Sequence, residues 1–465
     1  MSDTGLRLAQ EKMSAAGVPQ PAIDVFTHYY HQLEEGVTGF IAEDSIEPLT
    51  DPDLLSDVTV SPEDAEAALA ATVILKLNGG LGTSMGMDKA KSLLPVRNGK
   101  TFLDLIVAQV VHARERHKVR LPLIFMNSFR TRDDTLAALA PYPGLAADGL
   151  ELDFLQNQEP RLLASDLTPV EWPADPQLEW CPPGHGDLYT ALESSGLLKQ
   201  LLALGYRYAS VSNSDNLGAA PDATIAGWFA ASGAPYAAEI CRRTAADRKG
   251  GHLAIRKADS QLILRDTAQT SKEDMQFFTD EHRHPYFHTN NLWFDLEVLD
   301  RTLAERSSVL GLPLIRNEKT VDPADASSPA VVQIETAMGA AVEVFEGATA
   351  IGVGRERFLP VKTTSDLLLL RSDVYDVGED SRLTKVVDPA PLVELDTKHF
   401  KSISAFEKRF PAGAPSLKDA VSLTVEGDWT FEEGVRVVGA GRLKDEGGPG
   451  TVPAGTELVD VSDSH

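Results

Sequence analysis

The stretch Val73 to Ser92, VILKLNGGLGTSMGMDKAKS, limits what this chain can fold into more than any other segment. A short apolar run, Val73 to Leu77, breaks into a loop holding Gly79, Gly80, Gly82 and Gly86, and Lys89 and Lys91 follow at once. An apolar run bounded by glycines reads as a buried strand. Glycines after a strand let the backbone approach a ligand and turn its amides toward it. A lysine closing such a loop points to a phosphate-bearing ligand. The phosphate loop of ATPases needs Gly, four residues, then Gly-Lys-Ser/Thr. Aligning its Lys-Ser on Lys91-Ser92 puts Met85 and Ala90 where the glycines belong, which rejects it. The dinucleotide fingerprint fails as well, with Met85 in place of the third glycine.

From Val73 onward strand-like and helical patterns alternate. Leu121 to Phe125, Leu152 to Leu155 and Tyr206 to Val211 read as strands; Phe102 to Ala113, Leu188 to Leu202 and Ala223 to Ala231 read as helices. Thr101 and Asp104 form a capping-box pattern. This alternation predicts an α/β fold with a mostly parallel sheet and helices on both faces. Ligands in such sheets sit beyond the carboxyl ends of the strands, where both the glycine loop and Asn213-Ser214-Asp215-Asn216 emerge. Residues 1–70 read as a helical region, with Ala22, Val25, Phe26, Tyr29, Tyr30 and Leu33 on one face and Ser61-Pro62 starting a further helix. Residues 71–387 form the α/β unit, and residues 388–465 read as a small all-β tail that includes Leu423 to Phe431, Val435 to Leu443 and Gly455 to Val461.

Composition narrows the functional class. A formal net charge of -26 over 465 residues argues against nucleic-acid binding. Anionic substrates then need a local cluster of cations to overcome the general field. The two cysteines, Cys181 and Cys241, cannot build a disulfide scaffold and lack Cys-x-x-Cys spacing. No run approaches the ~18 apolar residues of a spanning helix, and the start of the chain lacks the apolar stretch of a signal peptide. The expectation is a cytoplasmic protein with no membrane partner.

Several polar groups stand out from the pattern. Asp215, just after an apolar strand, is the leading ligand for Mg²⁺, which takes one or two protein carboxylates plus substrate phosphate. In Pro182-Pro183-Gly184-His185-Gly186-Asp187 two glycines flank a histidine at a helix start, where amides attract anions. Lys362 precedes a helix expected at Leu367 to Val374, capped by Thr364 or Ser365, and a lysine there is unfavourable unless an anion is present. Lys249-Gly250-Gly251, His288-Thr289-Asn290-Asn291 and Gln333-Ile334-Glu335-Thr336 are polar groups beside apolar runs, explained equally well by a turn, a strand end and a helix start.

Taken in order, LNGGLGTSMG, PPGHGD, SNSDNLGA, TNNLWF and FLPVKTTSDLLLL make the chain resemble the eukaryotic-type UTP–glucose-1-phosphate uridylyltransferase (UDP-glucose pyrophosphorylase) family from Val73 to Tyr375. The resemblance implies a Rossmann-like nucleotidyltransferase core with a mixed sheet and a C-terminal left-handed β-helix. It implies a reversible, Mg²⁺-dependent transfer of the uridylyl group of UTP to glucose 1-phosphate, giving UDP-glucose and pyrophosphate. It also implies that Leu77, Asn78, Gly79 and Gly80 meet the ligand through backbone groups. Gln156 and Gly184 would read uracil, and His185 would contact glucose 1-phosphate. Asn213 and Asp215 would meet ribose and metal, while Lys91 and Lys362 would hold phosphates. Gly250, Asn290, Asn291 and Glu335 would hold glucose hydroxyls. The β tail can mediate self-assembly in this family. Asp88-Lys89-Ala90 departs from the usual x-Gly-Pro before Lys91, and His288 stands where Asn is usual. A relative acting on N-acetylhexosamine 1-phosphates typically carries Ala-Gly-Gly-x-Gly-Thr-Arg where this chain has Asn78 to Ser84. A broad-specificity sugar enzyme and a non-catalytic UDP-glucose sensor are the other readings.

Overall fold

A computed structural model describes residues 2–244 and 247–459. Eight strands form the central sheet: β1 (Asp53–Leu54), β2 (Thr72–Asn78), β3 (Leu123–Asn127), β4 (Asp153–Leu155), β5 (Tyr208–Asn213), β6 (Tyr236–Arg242), β7 (Tyr286–Asp295) and β8 (Thr349–Val353). Their spatial order is β1-β8-β6-β7-β5-β2-β3-β4. Only β7 runs against its neighbours; every other pairing is parallel. β2 is buried along its whole length, as expected of a strand covered on both faces.

Parallel pairing puts the carboxyl ends of β2, β3, β4, β5 and β8 on one edge. Asn213 pairs with Leu77, Asn78 with Asn127, and Asn127 with Leu155, so these strands stop level with one another. β7 is antiparallel, so its first half, His288 to Asn291, arrives at that same edge. The sequence reading put this segment at a strand end. It lies inside a ten-residue strand, at a register shift opposite Glu239 and Ile240 and with Asn290 at φ 61°. A bulge of this kind re-aims side chains next to a site.

Local signals were obeyed where they were strong. Ser61 caps the helix Pro62–Ala70, and Thr101 and Asp104 form a complete capping box at Phe102–His117. The helix expected at Leu188 to Leu202 is instead two, Leu188–Ser194 and Leu197–Ala203, because Gly196 turns left-handed at φ 77°. The helix placed at Leu367 to Val374 is Thr364–Arg371, and its cap is Thr363, whose hydroxyl and Asp366 complete a capping box.

The first two helices, Ser2–Ala15 and Gln20–Glu34, bury Phe26, Tyr30 and Leu33 against Leu162, Val332 and Ile334. They thereby brace the strand Ala330–Glu335, which ends at Glu335. The tail strands Leu392–Leu395, Ser416–Val425, Arg436–Leu443 and Glu457–Val459 pair in parallel, and a second parallel ladder joins Trp429–Phe431 to Gly450–Val452. Of the strand expected at Gly455 to Val461, the last residues lie outside the described ones. Phe400, Phe406, Phe410 and Leu417 share one apolar core with Val361, Leu367 and Phe102, so the tail packs directly on the sheet unit. No helix among the described residues is long and apolar enough to cross a membrane.

Candidate active site

The glycine loop folds back on itself. Leu81 bridges Ala90, Gly82 N–H donates to Lys89 O at 3.2 Å, and Lys91 N–H donates to Gly80 O at 3.3 Å. This return places Lys91 at the mouth of β2 and β5, where its Nζ donates to Asp215 Oδ2 at 2.6 Å. The two side chains are 18% and 20% exposed, accessible to a ligand without being free in solvent. Asp215 is the acid flagged for metal. Among the described residues no three His, Cys, Asp or Glu side chains gather as a metal cage. One accessible carboxylate fits a hard cation that keeps waters and takes substrate phosphates for its other ligands.

Asn78 has its side chain spent inside the protein. Its amide donates to Asn127 Oδ1 at 2.8 Å and to Thr135 Oγ1 at 2.9 Å, and its Oδ1 accepts from Ser214 Oγ at 2.9 Å. It ties the ends of β2, β3 and β5 together, so its side chain is committed to protein groups. Leu77 O accepts from Ser214 N–H at 3.0 Å, and Gly79 O accepts from Ser128 Oγ at 2.9 Å. A side chain at Gly79 would come within 2.6 Å of Gln156 Oε1, whereas Gly80 faces open space.

Gln156 follows β4 and donates from Nε2 to Gly184 O at 2.7 Å. Gly184 sits at φ 78°, and a Cβ there would lie 2.6 Å from Thr336 O, so only glycine fits. Behind this contact Asp187 accepts from Asn157 N–H at 2.6 Å and from Asn157 Nδ2 at 2.8 Å. Two consecutive residues of one segment are thus zipped to the Pro183–Asp187 loop. Burial pushes the Asp187 carboxyl up to about 7, against the pull of the Asn157 bonds. His185 Nδ1 accepts from Met338 N–H at 3.0 Å, which fixes a neutral ring with its proton on Nε2. Burial pushes its pKa down, so it stays a neutral donor.

Glu335 Oε1 accepts from Asn317 Nδ2 at 2.9 Å and lies 3.7 Å from Lys319 Nζ. Gly250 O accepts from the buried guanidinium of Arg243. Asn290 packs against His288, whose Nδ1 accepts from Asn290 N–H at 3.1 Å; burial pushes His288 down to about 4. Asn291 is buried, with Nδ2 donating to Glu239 Oε2 and Oδ1 accepting from Asn216 Nδ2, both at 3.0 Å. Its carboxamide therefore holds protein groups. Asn213 is the last residue of β5 and is half-buried. Lys362 is exposed, and among the described residues its ammonium has no hydrogen-bond partner. Its backbone N–H is held by Asp366 Oδ2 at 2.8 Å.

Sequence reasoning missed what lies beneath. Lys76 in β2 is fully buried, and its Nζ donates to Ser212 Oγ at 2.7 Å and to Ala219 O at 2.8 Å, stapling both ends of the Asp215 loop. Burial lowers its pKa to about 7. Arg357 pairs in two-pronged fashion with the buried Glu239, at 2.7 and 3.0 Å, and Trp293 Nε1 donates to the same carboxylate at 3.0 Å. A lysine inside the apolar run VILKLN was the one available signal.

The profile of the UTP–glucose-1-phosphate uridylyltransferase family matches residues 23–437. The chain belongs to this family. It is 39% identical to the Solanum tuberosum UTP–glucose-1-phosphate uridylyltransferase over 395 residues, covering 83% of this chain and 80% of that one. It is 40% identical to the Saccharomyces cerevisiae uridylyltransferase over 375 residues, covering 80% and 73%. Among solved structures, a mutant Leishmania major UDP-glucose pyrophosphorylase in complex with UDP-glucose superposes with a TM-score of 0.92 at 42% identity, covering 98% of each chain. The Trypanosoma brucei enzyme gives 0.90 at 41% identity, covering 98% of this chain and 100% of that chain.

Proposed function

We propose that this uridylyltransferase converts UTP and α-D-glucose 1-phosphate to UDP-glucose and pyrophosphate, reversibly. The observation that carries the reading is the arrangement along one sheet edge. A neutral amide contact, Gln156 to Gly184, adjoins Gly79, and Lys91, paired with Asp215, donates its backbone N–H to Gly80 O. A uracil edge offers both donor and acceptor groups, and a glutamine amide answers both. A phosphate oxygen of glucose 1-phosphate attacks the α-phosphorus of UTP in line and pyrophosphate leaves. The nucleophile is already anionic, so no general base is needed. The difficulty is bringing two polyanions together, which Lys91 and Lys362 relieve by electrostatic stabilisation. Positioning supplies much of the rest. His185 serves as a neutral donor to the sugar phosphate, and Gly250, Asn290 and Glu335 line the glucose side. Asn213 meets the ribose. Asn291 acts one layer back, through Asn216 and Glu239.

Mg²⁺ belongs to this reading: Asp215 would hold it together with phosphate oxygens, and it would neutralise charge on the polyphosphate. We read the parallel tail ladders as the left-handed β-helix of the family, with residues 1–70, 71–387 and 388–465 as the three units, although Asp53–Leu54 of the first joins the central sheet and the last also holds the helices Thr397–Phe400 and Ile403–Arg409. A cytoplasmic setting goes with two buried free cysteines.

The test is pyrophosphate release from UTP with Mg²⁺, run against glucose, galactose, xylose and N-acetylglucosamine 1-phosphates. Turnover confined to glucose 1-phosphate supports the reading. Comparable rates across the panel make this a general sugar pyrophosphorylase, and UDP-glucose binding without turnover makes it a sensor.

A further inference from the structure

We propose that Asn216 is a positioning residue that sets the distance between the Asp215 loop and Lys362. The proposal rests on the reading of Lys362 as a phosphate-handling group. Asn216 is 2% exposed, and its carboxamide is saturated. Oδ1 accepts from Leu359 N–H at 2.8 Å and from Gly218 N–H at 3.1 Å. Nδ2 donates to Asn291 Oδ1 at 3.0 Å and to Arg357 O at 3.2 Å. A primary carboxamide offers two acceptor lone pairs and two donors, and here all four are used. Only one of these bonds stays within the loop that follows Asp215. Two go to the arm that runs from Arg357 to Lys362, and the fourth goes to β7.

The backbone repeats the message. Asn216 bridges Pro360 in antiparallel fashion, so the residue next to Asp215 is paired with the residue two before Lys362. A Cβ at Gly218 would lie 2.5 Å from the carbonyl carbon of Arg357, so the arm rests directly on the loop. Arg357 Nη1 donates to Ala220 O at 2.6 Å, and its own charge is held by Glu239. Beyond the clamp Val361 is fully buried, and Lys362 N–H and Thr363 N–H are held by Asp366 at 2.8 and 2.7 Å. The Lys362 backbone is therefore fixed on both sides, and only its ammonium is free to meet a ligand. A carboxamide that merely stitched its own loop would spend its bonds there; this one spends half of them on the lysine arm.

A double-mutant cycle with Asn216→Ala, Lys362→Ala and the pair tests this, reading kcat, both KM values and UDP-glucose affinity. A displacement of about 1 Å costs on the order of 100-fold. Asn216→Ala is expected to lose roughly 10- to 100-fold in kcat, with KM values and UDP-glucose affinity within about 3-fold of the parent. The double variant is expected within about 3-fold of Lys362→Ala alone, since a residue acting through Lys362 has nothing left to position. Losses that multiply overturn the proposal while leaving the role of Lys362 intact, and so does a raised KM at unchanged kcat. A wild-type kcat in Lys362→Ala removes Lys362 from the chemistry and this proposal with it. Asn216→Asp keeps the volume and both acceptor bonds, and goes through the same cycle if the alanine chain does not fold.

Discussion

The two sides of the site are built from opposite materials. On the base side the contacts are neutral and short-range in sequence: Gln156 to Gly184 and Asn157 to Asp187 join segments 28 and 30 residues apart. On the phosphate side they are ionic and long-range: Lys91 to Asp215 spans 124 residues, and Arg357 to Glu239 spans 118. Recognition of a flat heterocycle needs donors and acceptors at set points, which backbone and carboxamide groups supply at low desolvation cost. Handling polyphosphate needs full charges, and full charges in a half-buried cleft need a rigid counter-charged floor. Lys76, Glu239 and Arg357 form that floor. They bring the Glu239–Arg357 ion pair and the Lys76 amine, its pKa lowered by burial to about 7, into the interior beneath the Asp215 loop.

The largest effect that would break this comparison is at Lys362. Lys362→Ala is expected to lose at least ~100-fold in kcat, the scale of removing one electrostatic group; steady-state rates near the parent's would mean the phosphate side does not depend on it. Next comes Arg357→Met, which strands the Glu239 carboxylate in the interior. Removing one partner of a buried pair costs about 3–5 kcal/mol, to be read as a lowered denaturation midpoint. A midpoint within error of the parent would show that the floor is not under electrostatic load.

On the base side the effects are smaller and change choice rather than rate. Gln156→Ala is expected to lower the preference for UTP over CTP by roughly tenfold, the worth of a hydrogen bond or so. Competition kinetics measure it, and an unchanged preference would remove Gln156 from base reading. The finest distinction is in pH. Folded Asp187 keeps its proton up to about 7, whereas an unfolded aspartate releases it near 3.8. Between those values the folded chain binds the extra proton, so this group erodes stability as pH rises through the window. Asp187→Asn carries no such proton. Its melting temperature relative to the parent's should improve from about pH 4 to about pH 8, and a flat difference would contradict the burial of that charge.

How much of this was legible in the sequence follows the same division. The glycine loop, the Ser61 cap, the Thr101–Asp104 box and Gly184 speak through near neighbours, and each sits where local chemistry put it. Asn216 stood in the sequence only as one member of the Asn213–Asn216 loop, since nothing nearby in the chain names Leu359 or Arg357 as its partners. The polar group of β7 was legible but its place was not: TNNLWF looks like the end of a strand, and only antiparallel docking between β5 and β6 brings the first half of that strand to the edge where the loops emerge. Glu239 lies in an apolar run, and its necessity shows only once Arg357, Trp293 and Asn291 converge on it.

The 2.6 Å contact between Lys91 and Asp215 also bears on small free anions such as inorganic phosphate. A small anion that captured Lys91 would leave Asp215 facing it uncompensated, like charge against like charge. If Asp215 takes the cation as proposed, a nucleoside triphosphate carrying a divalent ion would satisfy both partners in one exchange, anion to lysine and cation to aspartate. On the proposed reading the resting pair would act as a turnstile that admits a matched couple more readily than a lone ion.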